Sequence, residues 1–173
     1  MPEGDTVHLA ATRLDGALAG QTLTRTDIRV PRFATVDLSG RRVLEVAARG
    51  KHLLFRIEDG MTLHTHFMMD GVWQLYRPGE RWRAPASQAR AVLETRRSVA
   101  VGFRLAVTEV IPTTGEHEAV GHLGPDLLGS DWDPDEALRR VEAQGGRPLG
   151  EALLDQTVMA GLGNVYKCEA GRT

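Results

Sequence analysis

The chain has 173 residues, 42% of them apolar and 25% charged, with 21 Lys and Arg against 23 Asp and Glu for a formal net charge of −2. That composition excludes a disordered chain, leaves room for one ordinary domain or two small ones with a buried core, and lacks the strongly basic balance of many nucleic-acid-binding domains. No run reaches the ~18 apolar residues of a membrane span; Glu3, Asp5, His8 and Arg13 interrupt any secretory segment; and the lone Cys168 forms no internal disulfide and holds no zinc by itself, so a reducing cytoplasm is expected.

The chain opens Met1-Pro2-Glu3-Gly4. A small penultimate residue favours removal of the initiator methionine, which leaves Pro2 as a terminal secondary amine. Such an amine yields an iminium directly on attacking a sugar C1′ or an aldehyde, and α-amino groups titrate near pH ~7.7–8.0, so part of it is neutral and nucleophilic. Glu3 puts a carboxyl group beside it. The alternative is an ordinary Met-Pro start with no chemistry.

Residues 4–18 place Val7, Ala10, Ala11, Leu14 and Leu18 at helical spacing, and Gly20 stops the helix. From 21 to about 110 the pattern is that of strands. Leu53, Phe55 and Ile57 alternate with polar neighbours, Met61 to Phe67 does the same after an Asp59-Gly60 turn, and Val99 to Val107 forms one long period-two apolar face. Residues 77–86 read as a loop. Residues 112–125, rich in Gly, Pro, Glu and His, read as a linker. Asp133-Pro134-Asp135-Glu136 is a helix start, a second helix runs from Pro148 to about Val158, and a third begins at Asn164 or Val165 after two glycines. The expected fold class is α+β: an N-terminal helix and an antiparallel β-sandwich over 1–112, a linker over 113–130, and a helical unit over 131–173.

Helix, Gly161-Leu162-Gly163-Asn164, helix is a turn through which backbone closely approaches a ligand, and a helix N-terminus favours an anion. Asn164 either caps the helix or donates to a phosphate oxygen. Arg41-Arg42, Arg96-Arg97 and Arg139-Arg140 are basic pairs that suit phosphate or merely a solvated surface. Lys51 is equally open, and Met68 and Met69 fit core filling as well as a contact role. His64 and His66 share a strand face, but no Cys or carboxylate stands near them in sequence, so a metal pair is not expected.

Four stretches carry a resemblance to one family. Leu153-Leu154-Asp155-Gln156-Thr157-Val158-Met159-Ala160-Gly161-Leu162-Gly163-Asn164-Val165-Tyr166 resembles the helix–two-turn–helix motif of the formamidopyrimidine-DNA glycosylase/endonuclease VIII family of bifunctional DNA glycosylases. Met1-Pro2-Glu3-Gly4 is similar to its N-terminus, nearest the endonuclease VIII branch. Arg49-Gly50-Lys51-His52-Leu53-Leu54 resembles its internal lysine motif, and His66-Phe67-Met68-Met69-Asp70-Gly71-Val72-Trp73 its loop after a His-containing strand. Together they cover essentially the whole chain in the right order.

The resemblance implies a DNA-repair enzyme that excises oxidised bases and cleaves the strand at the abasic site by elimination. Pro2 is the implied nucleophile and Glu3 the proton source for sugar ring opening. Lys51 and Asn164 hold phosphates, Met69 (or Met68) enters the gap left by the flipped base, and Arg96 and Arg97 reach the DNA. The implied partner is damaged or abasic-site double-stranded DNA, bound by a monomer in the cytoplasm at the nucleoid. No cofactor is expected in this chain, although relatives usually carry a structural zinc.

Three departures stand out. Thr6 occupies the place of a further family glutamate, and Ser98 that of an aromatic wedge. The chain also stops at Thr173, short of the family's C-terminal zinc finger, which reads as a truncation. The alternatives are a non-catalytic damaged-DNA-binding module of the same fold and an unrelated β-sandwich. The second requires the helical motif, the lysine motif and the N-terminus all to be coincidence.

Overall fold

The computed structural model describes residues 2–172; Met1, whose removal the N-terminal reading requires, and Thr173 lie outside the described residues. Helix α1 (Gly4–Leu18) forms where the apolar spacing places it. Val7, Ala11, Leu14 and Leu18 are buried, and the helix packs on strand β2 (Val43–Arg49). The Asp15 carboxylate fixes that packing by accepting the Val46 N–H at 2.8 Å.

Eight strands build two antiparallel sheets. One runs β1 (Arg25–Ile28), β6 (Ala89–Glu94), β7 (Val99–Phe103), β5 (Val72–Tyr76). The other runs β2, β3 (His52–Ile57), β4 (Met61–His66), β8 (Val107–Pro112). Their inner faces and α1 enclose one core containing Leu14, Leu18, Phe55, Leu63, Phe67, Trp73 and Leu93. Burying a large apolar side chain of this kind contributes ~1.5–3 kcal/mol. A smaller cluster on the outer face of the first sheet is closed by the 77–86 loop, where Trp82 meets Phe103 edge-on with centroids 5.9 Å apart. The β3–β4 turn has φ +66° at Asp59 and +69° at Gly60, the geometry of a tight hairpin.

Three sequence expectations change. The long apolar face from Val99 to Val107 is two strands, not one. At Arg104 the backbone enters the left-handed region (φ +52°), Leu105 turns into the core, and the chain crosses to the other sheet. The 112–125 stretch is also more than a linker. It contains a 3-10 turn and helix α2 (Glu116–Val120), held down where Glu116 accepts from Arg56 and from the Thr62 hydroxyl at 2.8 Å. Burial opposes the Glu116 charge, yet these donors outweigh it and keep the carboxyl below its usual range, while Arg56 is raised chiefly by Glu116.

In the helical unit, α3 (Pro134–Glu142) starts as the sequence suggests, with Asp133 accepting from the Asp135 and Glu136 N–H groups. Helix α4 (Leu149–Leu154) ends four residues before Val158. There the Asp155 carboxylate captures the Thr157 N–H and hydroxyl, a local turn that competes with helix. Helix α5 (Asn164–Ala170) closes the unit. Among the described residues no helix is long and apolar enough to cross a membrane.

Candidate active site

The N-terminus is joined to the turn before α5. Glu3 is 2% exposed, and both of its carboxylate oxygens accept backbone N–H groups, from Gly163 at 3.1 Å and Val165 at 2.7 Å. The Gly4 N–H donates to the Gly161 carbonyl at 2.8 Å. Two glycines, Gly4 and Gly163, permit this approach. A Cβ on Gly4 would lie 2.7 Å from the Gly161 Cα, and one on Gly163 would lie 2.4 Å from the Glu3 carboxyl carbon. Gly163, not Asn164, is the N-cap of α5, so the first free N–H groups of that helix receive a carboxylate. Pro2 is half-buried beside them.

Asn164 itself is exposed and makes no side-chain hydrogen bond among the described residues. Its capping role is thereby excluded, and its amide is free for a ligand. The Tyr166 hydroxyl donates to Asp5 at 2.7 Å, which lowers the Asp5 carboxyl below its ordinary value and raises the tyrosine. Next to this pair opens a mostly apolar cavity of about 490 Å³, lined by Gly4, Asp5, Leu127, Leu128, Leu162 and Tyr166.

Lys51 sits in the β2–β3 turn, half-buried and with no ion pair among the described residues. Burial lowers its ammonium from the usual lysine value, while the charge of Glu3 works against that shift. The turn is fixed from behind. The Gly50 N–H donates to Asp126 at 2.6 Å, and Arg49 binds Asp131 at 2.8 Å and the Gly124 carbonyl at 3.2 Å. Asp126 is 4% exposed and also accepts the Leu128 N–H. This carboxylate therefore ties the lysine turn to the segment leading into the helical unit.

Met68 and Met69 are 57% and 61% exposed, which rules out the core-filling alternative. Phe67 anchors the loop in the core, and the Gly71 N–H closes it onto the Phe67 carbonyl at 2.9 Å. Met68 has φ +51°, and its N–H donates to His66 Nδ1 at 3.0 Å.

Strand register shows which residues share an end of the sandwich. His52 pairs with His66, His66 with Val107, and Val72 with Phe103. The Lys51 turn, the Met68–Met69 loop and the 104–106 corner therefore lie together. Arg96 and Arg97 do not join them. They occupy the β6–β7 turn, exposed, at the Val99 end of β7, about 13 Å away along the strand. Beside the Met68–Met69 loop stands instead Arg104, which donates to the Asp70 carbonyl at 3.1 Å and to the Gln88 side chain. Sequence reading missed it because Arg104 falls on the polar phase of an apparently continuous strand. Asp126 was missed because nothing in Gly124-Pro125-Asp126 marks a carboxylate as buried.

The residues present do not fit a structural zinc. The one cysteine, Cys168, is exposed, and among the described residues no three His, Cys, Asp or Glu side chains are disposed to hold a metal ion.

The formamidopyrimidine-DNA glycosylase N-terminal domain matches residues 1–107. A probable endonuclease 8 2 of Streptomyces coelicolor is 60% identical over 170 residues, 98% of this chain and 62% of that protein. The DNA-(apurinic or apyrimidinic site) lyase Nei2 of Mycolicibacterium smegmatis is 51% identical over 166 residues, 96% of this chain and 64% of its own. The chain thus spans somewhat less than two thirds of these relatives. In fold it is similar to Lactococcus lactis Fpg (MutM) solved with a DNA containing N7-benzyl-Fapy-dG, with TM-score 0.77, 23% identity, and 95% of this chain and 64% of that one covered.

Proposed function

The chain belongs to the formamidopyrimidine-DNA glycosylase/endonuclease VIII family, and from that membership we propose that it performs the chemistry of a base-excision DNA glycosylase with abasic-site lyase activity. What supports the reading is the junction of Pro2 and Glu3 with the start of α5 on one side and Lys51 on the other.

Once Met1 is removed, the Pro2 nitrogen attacks C1′ of a flipped nucleotide. The N–C1′ bond forms, and the glycosidic electron pair leaves with the base, which takes a proton from water. Glu3 receives the proton shed by the new ammonium and passes it to O4′ as the C1′–O4′ bond breaks. The nitrogen lone pair then completes an iminium. Each Glu3 oxygen accepts one backbone N–H and keeps a lone pair for this transfer. The carboxylate also stabilises the cation it has helped to form.

The iminium acidifies C2′. Loss of that proton lets the 3′ C–O bond break, with the phosphate leaving on its electron pair, and water then hydrolyses the iminium and frees Pro2. Lys51 and Asn164 hold backbone phosphates, while Met68 and Met69 fill the space of the extruded nucleotide, offsetting part of the few kcal/mol that flipping costs.

The test is strand cleavage at a single abasic site by the chain with a free N-terminal proline and by an N-terminally blocked form. Cleavage by the free form alone is expected. Equal cleavage by both would remove Pro2 from the mechanism, and binding without cleavage by the free form would leave a damaged-DNA-binding module.

A further inference from the structure

Four histidines form one patch beside Lys51 on the outer face of the second sheet. His52 Nδ1 lies 2.8 Å from His64 Nε2, and His64 Nδ1 lies 2.8 Å from Glu109 Oε1. The ring of His66 stands edge-on to His52 with centroids 4.5 Å apart, and that of His122 with centroids 6.5 Å apart. Burial grades across the patch: His64 is 4% exposed, His52 and His66 are half-buried, and His122 is exposed.

The hydrogen bonds have one consistent direction. A carboxylate only accepts, so His64 donates from Nδ1 to Glu109. Its Nε2 then accepts from His52 Nδ1–H, which leaves His52 Nε2 as an acceptor with no donor among the described residues. His66 already accepts the Met68 N–H on Nδ1. In the His52–His64–Glu109 relay each imidazole nitrogen is thus committed except His52 Nε2.

We propose that this patch is a proton-loaded subsite for a DNA backbone phosphate, in which a phosphodiester docked beside Lys51 draws a solvent proton onto His52 Nε2. The proposal rests on the DNA-repair reading above. The transfer adds one proton and one positive charge to His52; the phosphodiester supplies the compensating negative charge, and the His64–Glu109 pair behind it fixes the tautomer of the ring. Without a phosphate the charge is resisted. Burial and then the neighbouring histidines hold His52 down to about 3, and burial, His64 and Lys51 lower His66.

Other charges facing the patch are already committed. Arg49 on β2 is paired with Asp131, Arg56 on β3 with Glu45 and Glu116, and Glu116 of α2 with Arg56. Glu109 on β8 bonds His64, and Lys51 lies within the field of Glu3. The free counter-charge must therefore come from a ligand.

The experiment is calorimetric titration of the chain with a duplex oligonucleotide carrying a tetrahydrofuran abasic-site analogue. It is run at pH 6.0 and 7.5 in buffers of different ionisation enthalpy. Uptake of about one proton at pH 6.0, with affinity roughly tenfold tighter than at pH 7.5, is expected for the unmodified chain and for a His8→Gln control. His52→Gln and, separately, Glu109→Gln are expected to lose at least half of that uptake while still binding. Binding with the same proton count in the unmodified chain and both variants overturns the subsite and leaves the DNA reading intact. Absence of binding by the folded, unmodified chain at both pH values overturns both.

Discussion

Glu3 Oε1 accepts the backbone N–H of Val165 at 2.7 Å, joining residues 162 positions apart at the start of α5. The neighbouring glycine makes that bond possible. Gly163 has φ −133° and ψ −171°, open to any residue, so the obstacle to a side chain is purely the carboxyl group 2.4 Å from its Cβ position. Gly163→Ala is therefore expected to displace Glu3 and lower abasic-site cleavage ~100-fold. The cost to folding is ~1–3 kcal/mol, as for other overpacked sites. Single-turnover cleavage together with thermal melting measures both.

Lys51 has no ion pair among the described residues to lose. Lys51→Met is expected to change folding stability by no more than about 0.5 kcal/mol. The same change should weaken DNA binding and reduce the slope of log affinity against log salt by ~1, the signature of one lost phosphate contact. An unchanged slope would place Lys51 away from the backbone.

The strand register separates two sets of arginines. Arg104 lies with the Met68–Met69 loop, whereas Arg96 and Arg97 lie at the far end of β7. Arg104→Ala is expected to weaken binding of abasic-site duplex ~10-fold. The double change Arg96→Ala, Arg97→Ala should alter it less than twofold. Titration by fluorescence anisotropy distinguishes them.

The sequence made the elements with strong local signals legible. Residues 4–18 carried a helical stripe, Asp59-Gly60 a tight hairpin, and Asp133-Pro134 a capped helix start, and all three are found. Pro2, Glu3, Lys51, Met68, Met69 and Asn164 could be picked out because they lie in motifs whose order along the chain matched one family. What stayed hidden depends on long-range packing. Period-two alternation does not record that the backbone turns at Arg104 into another sheet, and hydropathy does not record that Asp126 is buried against the Gly50 N–H. Arg96-Arg97 attracted notice as a pair, but adjacency in sequence says nothing about which end of a strand a turn occupies. The histidine relay was equally invisible, since Glu109 meets His64 only through the β4–β8 register.

Asp126 bridges the lysine turn and the segment before the helical unit. Asp126→Asn keeps its shape but replaces an acceptor that takes the Gly50 and Leu128 N–H groups. A loss of ~1–3 kcal/mol is expected for this buried, charge-assisted pair of bonds. Amide exchange should accelerate at Gly50 and Leu128 before it does in the sandwich core, which hydrogen-exchange mass spectrometry can resolve.

Stability should fall in acid through the histidine patch. His52 is held to about 3 in the fold, by burial first, against 6.5 for the unperturbed group. The unfolded chain then binds the extra proton between those values. The contribution is fully present above pH 6.5 and drains away as pH falls towards 3. At a half-buried site it amounts to on the order of 1 kcal/mol by pH 4.5, or ~2–4 °C in Tm. His52→Gln should flatten that part of the Tm–pH curve, and an unchanged curve would mean that His52 takes up protons freely in the fold.

The most direct test of the central claim is to identify which amine is joined to DNA. With Met1 removed, the chain has three candidate amines: Pro2, Lys51 and Lys167. Burial keeps Lys51 below its ordinary value and makes it the serious rival. Borohydride added during reaction with an abasic-site oligonucleotide reduces an iminium to a stable amine, and digestion with mass spectrometry locates the adduct. An adduct on the peptide beginning at Pro2, absent when that terminus is blocked, is the expected result. An adduct on Lys51 or Lys167 that survives blocking would contradict the assignment of Pro2 as nucleophile.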